Sequence, residues 1–417
     1  MNESGLELFA RIVGYVVFAV YACLLLAQLR RFFVTALRQP PRKCRAARGS
    51  WWMPLSAFLA SRIFIAAVVL IAAAARGETQ SLFSNLQAYV NRWDGPHYIS
   101  LIENGYVTTG DDRLFVVFFP LYPMICRALG FTGLSALARA LIVSNVAGCL
   151  SGYLLYALVL EEGSQPRARL ATALLMFNPV SFFMSMPYTE SIFLTVTIAA
   201  VLLARRRKFV LAVIMGAIAA TARMVGLAVA APVFWEMLNA KREEKDRLNA
   251  KDVFLCVART LPMLAGLAAY LILNYSLFGN PLQFLEFQRE NWSNQMTLLS
   301  ETVRYVLINA VQYPKMIYRI STWIPEIIAI VATIALSAST LKRQHPGDGA
   351  FLAIAFYLSV SLAWLISGVR YVTGLYAIYP MLALLPKRKN AGAAMLLISA
   401  ALLAYMTVLG INIGYVL

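Results

Sequence analysis

Long apolar runs follow one another along this chain, and polar residues are confined to short stretches between them. A helix needs about 17–25 mainly apolar residues to cross the hydrocarbon core of a membrane. Runs that read as spans lie at Leu6–Leu29, Pro54–Ala75, Leu134–Leu160, Leu170–Met186, Ser191–Ala204, Phe209–Ala222, Met224–Leu238, Val253–Leu277, Ile324–Leu341, Ala350–Ser367, Tyr371–Pro386 and Ala391–Leu417. The pattern predicts an all-α polytopic membrane protein with about twelve transmembrane helices. No linker, internal repeat or low-complexity tract interrupts it, so residues 1–417 read as a single membrane domain. The first run is too long for a signal-peptide core and has neither a basic start nor a clear cleavage site, which predicts a retained helix. Phe115–Gly130 is apolar but holds two prolines, and counting it as a crossing would reverse the side of the basic turn Arg205–Lys208. It reads instead as a re-entrant or surface-lying helix, since irregular backbone is tolerated at membrane depth only where protein covers it.

The polar stretches are of two kinds. "LRRFFVTALRQPPRKCRAAR", "RRRK" at Arg205–Lys208, "KREEKDRLNAK", "LKRQ" and "PKRK" are basic and short, the mark of cytoplasmic loops. Two long segments, Arg76–Arg113 and Phe278–Trp323, then fall outside together with the tight turns "MPYTES", "ATARMVG" and "SGVRYV" and both termini. The long segments are expected to converge as a cap, residues 76–113 and 278–323, over the membrane domain. Read this way, the net charge of +17 is a topology signal and not a nucleic-acid footprint. Composition agrees, with 60% hydrophobic and 14% charged residues and a mean hydropathy of +0.68. Soluble domains are roughly 45–50% apolar and about 25% charged. The five cysteines, Cys23, Cys44, Cys126, Cys149 and Cys256, are scattered without a CxxC, and predict neither a disulfide framework nor a zinc site.

The least membrane-like stretch is "NRWDGPHYISLIENGY", Asn91–Tyr106. After Asp94, a Gly-Pro pair opens a short helix that would end at Gly105, with Ile99, Ile102 and Tyr106 on one face and His97, Ser100 and Asn104 on another. Such a helix can lie on the membrane surface. Asp94 reads equally as its N-cap or as a working carboxylate, and the two roles are compatible, because a cap keeps the charge in place. Arg223 and Arg370 stand at the outer ends of spans, where the choices are snorkelling to headgroups or gripping phosphate with a planar fork. Glu190 reads as a helix N-terminal charge or as a partner for those arginines. "FGNPLQFLEFQRENW" predicts a turn and a helix that clusters Phe284, Phe287 and Gln288. Its aromatics suit interfacial anchoring, while Gln288, Arg289 and Trp292 suit the lining of a sugar site. With two histidines, one of them (His345) in a cytoplasmic loop, and an Asp111-Asp112 pair that reads as solvated, no metal or other cofactor is expected. There is no Walker loop, Rossmann fingerprint or nucleophile elbow.

The ordered set "RWDGPHYISLIENGY", "FFPLYPM", "NPVSFFMSMPYTESIFL", "TARMVG", "FGNPLQFLEFQ" and "RYVTGLYAIYPML" resembles the PIG-V-like family of integral-membrane mannosyltransferases, from about Trp93 to Pro386. The resemblance implies a GT-C glycosyltransferase fold, a polyprenyl-phosphate-linked sugar donor and inversion at the anomeric carbon. Trp93-Asp94 matches the family's acidic motif, where the catalytic Asp lies. Tyr188, Glu190 and Ser191 match a Tyr-Ser-Glu-Ser type motif in which Thr189 replaces the usual Ser. Arg223 matches the Arg of an "SR-x-x-G" motif with Ala222 before it, and Arg370-Tyr371 matches a late Arg-Tyr pair. Eukaryotic members act on GPI precursors; the compact loops and composition here look bacterial, so that acceptor does not carry over.

The chemistry fits the residues. A hydroxyl is a poor nucleophile near pH 7, so a carboxylate, Asp94, is expected to take its proton as it attacks C1. Arg370 and Arg223 are expected to stabilise the departing lipid phosphate. Trp93, His97, Tyr98, Tyr188, Glu190, Gln288 and Tyr371 are expected to contact sugar or acceptor. The donor's tail keeps the site at the membrane surface, on the periplasmic or exterior face of a bacterial cytoplasmic membrane, with a lipid-linked or glycan acceptor, membrane lipids and no nucleic acid as partners. The rival class is a lipid or glycolipid transporter or flippase; those place charge near the midplane and show repeats, whereas here the charges crowd one face.

Overall fold

The computed structural model describes residues 3–38, 48–77, 81–245, 247–388 and 390–412; Cys44 and much of the basic stretch around it lie outside the described residues. Among the described residues the chain is helical, with one isolated antiparallel bridge, Met296 to Leu362. In chain order the helices are α1 (Glu3–Arg38), α2 (Met53–Ala75), α3 (Leu82–Val90), α4 (Gly95–Asn104), α5 (Leu121–Ala128), α6 (Ala136–Leu160), α7 (Gln165–Met176), α8 (Glu190–Arg205), α9 (Phe209–Ala222) and α10 (Ala230–Glu244). They continue as α11 (Ala250–Thr260), α12 (Leu264–Phe278), α13 (Gln283–Trp292), α14 (Leu299–Gln312), α15 (Met316–Tyr318), α16 (Ile324–Thr340), α17 (Pro346–Val360), α18 (Gly368–Thr373), α19 (Ile378–Leu382) and α20 (Ala391–Asn412).

Among the described residues six helices are long and apolar enough to cross a membrane, so the expected count of twelve is not confirmed: Gly5–Arg38, Met53–Ala75, Ala136–Leu160, Ala250–Phe278, Met316–Thr340 and Ala391–Ile411. The other expected spans are short or broken. α7 stops at Met176, just before Asn178-Pro179, and the chain turns through a 3₁₀ segment, Ser181–Ser185, because the residue before a proline resists the helical conformation. Met224–Leu238 opens as a 3₁₀ turn, Met224–Val229, before α10. Tyr371–Pro386, read as one span, is two short helices, α18 and α19.

The difference has a physical pattern. The long helices carry exposed apolar side chains such as Leu8, Ile63, Ile272 and Leu397, as lipid-facing helices do. While α9 keeps Val210, Leu211 and Ile214 exposed, some of the shorter pieces lie inside, with 12 of the 16 residues of α8 buried against α6, α9 and α10. Broken backbone is affordable only there, where neighbouring protein supplies the missing hydrogen bonds. Small residues let helices close up; Gly266 of α12 has no room for a side chain over the Ala217 carbonyl of α9. The Phe115–Gly130 region is also not a straight span, since Asp111–Val117 and Leu121–Thr132 meet at 112°.

Residues 116–119, just beyond the first of the two segments expected outside, pack against α12 and α13. Phe118 and Phe119 pack on Trp292 and Phe284 of α13 (6.2 Å each), and Tyr270 donates to the Val116 carbonyl at 2.6 Å. The α13–α14 link pairs with the chain ahead of α18, through Thr297 N–H to Ser361 (3.0 Å) and Ala363 N–H to Gln295 (2.9 Å).

Candidate active site

Between α3 and α4 the chain makes a turn in which Trp93 takes a left-handed conformation, φ 53°. For a bulky aromatic this is strained backbone and persists only where the surroundings enforce it. Here the enforcer is Tyr188. Its hydroxyl donates to the Arg92 carbonyl (3.1 Å) and accepts the Asp94 N–H (2.8 Å), bracketing Trp93 from both sides. The Trp93 ring packs on Phe182 and Phe183, at 6.4 and 5.5 Å. Arg92 anchors the same turn to the end of α20, donating to the carbonyls of Gly410 and Ile411.

Asp94 occupies the N-cap position of α4, but its side chain makes no capping hydrogen bond. It faces Arg370, with Nη1 3.5 Å from Oδ2. The cap reading therefore fails at the side chain while the helix start itself is where the Gly-Pro pair puts it. Arg370 Nε lies 3.5 Å from Glu190 Oε1, and Arg223 Nη2 pairs with that same oxygen. Arg223 Nε also donates to Thr189 Oγ1 at 2.9 Å, so Thr supplies the hydroxyl of the motif's usual Ser. The result is one continuous chain of charge, Asp94–Arg370–Glu190–Arg223, with two carboxylates balancing two guanidiniums.

Ring faces fix the arginines. The Arg370 guanidinium lies over Phe183, Tyr188 and Tyr371, at 5.1, 5.2 and 5.3 Å, and Arg223 lies over Phe193 at 5.6 Å. Such stacking orients the guanidinium plane as well as holding its charge. Access is graded: the Asp94 side chain keeps 31% of its surface and Arg223 20%, whereas Arg370 keeps 8% and Glu190 4%. Burial pushes the phenols of Tyr188 and Tyr98 well above their usual range, so both act as hydrogen-bonding or packing groups and not as bases.

Of the residues singled out from sequence, Trp93, Asp94, Tyr188, Glu190, Arg223, Arg370 and Tyr371 come together. Tyr98 joins them through its ring contact with Tyr188 (5.9 Å). His97 turns aside onto Phe115 and Phe118, at 4.5 and 5.8 Å. Gln288 lies on α13, which reaches the site's flank through Trp292 on Phe118. His345, read as a loop residue, is buried beside Trp235 and Glu236. Asp112 accepts a 2.5 Å hydrogen bond from Ser100, and Asp111 is exposed. Among the described residues no group of three or more His, Cys, Asp or Glu side chains is placed to hold a metal ion.

Two residues of the surroundings escaped the sequence reading. Arg62, inside α2, donates to the Ser181 carbonyl (3.0 Å) and to Ser185 Oγ (2.6 Å), filling the hydrogen bonds of the 3₁₀ break that carries Phe182 and Phe183. Glu326, fully buried in α16, accepts the Gly368 N–H at 2.8 Å, two residues before Arg370. A charged side chain within an apolar span was the available signal for both.

Comparison with known proteins bears on this arrangement. The family model described as Mannosyltransferase (PIG-V) matches residues 65–280, just over half of the chain, a stretch that includes Asp94, Tyr188, Glu190 and Arg223 but stops short of Arg370. No curated protein sequence matches. Among solved structures, the chain is similar to the apo-form Archaeoglobus fulgidus oligosaccharyltransferase, with 14% identity over 88% of this chain and 56% of that one and a TM-score of 0.44. The same archaeal enzyme in complex with Zn and sulfate matches with 12% identity over 93% of this chain and 53% of that one, TM-score 0.37. The chain thus spans a little over half the length of these structures.

Proposed function

Because this chain belongs to the PIG-V mannosyltransferase family, we propose that it is a membrane glycosyltransferase that moves a sugar, mannose in the first instance, from a polyprenyl-phosphate donor to a lipid-linked or glycan acceptor. The observation that carries the reading is the charge chain Asp94–Arg370–Glu190–Arg223, open to solvent at the Asp94 and Arg223 ends. Asp94 is the base. Its uncapped carboxylate takes the acceptor's hydroxyl proton as that oxygen bonds to C1 of the sugar. On the opposite side of C1 the bond to the phosphate oxygen breaks, the lipid phosphate leaves with the bonding pair, and configuration inverts. Arg370 and Arg223 receive the growing phosphate charge, while Glu190, lying between them, sets their spacing. Tyr188 holds Asp94 through the backbone on either side of Trp93.

The site is assigned to the periplasmic or exterior face of a bacterial cytoplasmic membrane. What supports this is α8, which has Glu190 at its first residue and the basic turn Arg205–Lys208 at its last, roughly 22 Å apart at 1.5 Å per residue. Basic turns favour the cytoplasmic side. In this reading segments 76–113 and 278–323 form the cap.

A monophosphate leaving group carries less charge than a pyrophosphate, which enzymes often neutralise with Mg²⁺ or Mn²⁺; two arginines suffice for the former. The decisive experiment supplies purified protein in liposomes with polyprenyl-phosphate mannose, with GDP-mannose, and with each in excess EDTA. Transfer from the lipid donor, undiminished by EDTA and absent with the nucleotide sugar, is the expected result. Activity that EDTA abolishes and Mn²⁺ restores overturns the monophosphate assignment.

A further inference from the structure

Arg370 is carried by a helix of only six residues, α18, reached through a non-helical stretch after Val360. A helix this short has no interior to stiffen it, since nearly all its amide and carbonyl groups are terminal. Yet Arg370 is buried, and its guanidinium must meet Asp94 on one side and Glu190 on the other at 3.5 Å. Something outside α18 has to fix it.

Glu326 is placed to do so. It is wholly enclosed, on the first turn of α16, directly after a π turn at Arg319–Trp323. Oε1 accepts the N–H of Gly368, the first residue of α18, at 2.8 Å, while Oε2 is buried without a hydrogen-bond partner. The approach is so close that a Cβ at Gly368 would overlap Oε2, which explains a glycine there. A carboxylate in this span is costly, and an apolar residue would cost nothing. We infer that Glu326 is a positioning residue for Arg370, holding the N-terminus of α18 so that the guanidinium reaches the Asp94–Glu190 pair. The inference rests on the reading of Arg370 as the phosphate-facing cation.

Glu326→Leu removes the acceptor and suits an apolar span; Glu326→Gln keeps an oxygen for the Gly368 amide. In Glu326→Leu, hydrogen exchange at the Gly368 amide is expected to speed up at least about tenfold. Turnover is expected to fall roughly 10–10²-fold, the range of an approximately 1 Å misplacement, with the donor KM changed by less than about threefold. Glu326→Gln restores both. Because Glu326 acts through Arg370, Glu326→Leu combined with Arg370→Lys is expected to be no slower than Arg370→Lys alone. Unchanged exchange in Glu326→Leu, or losses that multiply in the double variant, would overturn the inference. Should Glu326→Leu express poorly, Gly368→Ala displaces the same carboxylate, and its exchange and turnover are read the same way. The exchange measurement needs no substrate, so a protein without transferase activity fails the proposed function while leaving this inference decided on its own terms.

Discussion

At one end of α8, Glu190 lies between Arg223 and Arg370; at the other, Arg205 lies among Glu162, Glu236 and Asp348. The two clusters use the same groups in inverted order, a carboxylate between guanidiniums and a guanidinium between carboxylates. They differ in access to solvent. Arg205 is 2.5 Å from Asp348 and 3.2 Å from Glu162, Tyr376 donates to Asp348 at 2.9 Å, and the Arg205 side chain is 3% exposed. At the Glu190 end, Arg370 stands 3.5 Å from each of its partners, and Asp94 and Arg223 open to solvent. A cluster enclosed on all sides can only hold the protein together. One with an accessible edge has room to exchange a partner for a ligand.

The largest effect expected from this contrast is at Asp94. Asp94→Asn keeps the size but not the basicity of the side chain, so turnover should fall about 10²–10⁴-fold, the usual worth of general-base catalysis. Folding and donor binding should survive, measured by size-exclusion profile and donor affinity. Near-normal turnover would reduce Asp94 to the first residue of a helix. The matching change at the other end is Arg205→Met. Removing one partner from a buried ionic cluster typically costs about 3–5 kcal/mol, so thermal unfolding should shift strongly while activity per folded molecule stays close to normal. A stable Arg205→Met protein with lost turnover would erase the distinction between the two ends.

Arg370→Lys comes next. Lysine keeps the charge but loses the planar fork and the stacking on three rings. We expect roughly a 10–10²-fold loss of turnover at unchanged expression. If lysine serves as well here while Arg223→Lys fails, the phosphate belongs chiefly to Arg223.

The same contrast shows what the sequence could and could not convey. Asp94, Glu190, Arg223 and Arg370 stood out because charge beside hydrocarbon is conspicuous wherever it occurs. Their ordering into one chain was not legible, since it depends on short helices meeting from distant parts of the fold. Arg205 was read as part of a basic turn; its burial depends on partners 43 and 143 residues away, which no local pattern records. Glu326 was overlooked inside a run read as one span, although a lone carboxylate between Pro325 and Ile327 is itself a signal. The unconfirmed spans have a similar origin, because hydropathy reports that a stretch is buried in something apolar and not whether that is lipid or protein.

The smallest predicted effect tests the backbone beneath Asp94. Tyr188→Phe removes one hydroxyl and leaves the ring over which Arg370 stacks. That hydroxyl makes two hydrogen bonds, to Arg92 and Asp94, either side of a strained Trp93. Each is worth about 1 kcal/mol net, too little to unfold the protein but enough to let the turn relax and the carboxylate drift. We expect turnover to fall roughly 3–10-fold, with donor KM and melting temperature nearly unchanged, because the arginines and the packed rings stay in place. Tyr188→Leu, which also removes the ring face under Arg370, should lose considerably more. Equal losses in the two variants would mean that the hydroxyl, and not the ring, carries the whole contribution; no loss in Tyr188→Phe would mean that ring packing around Trp93 alone holds the turn.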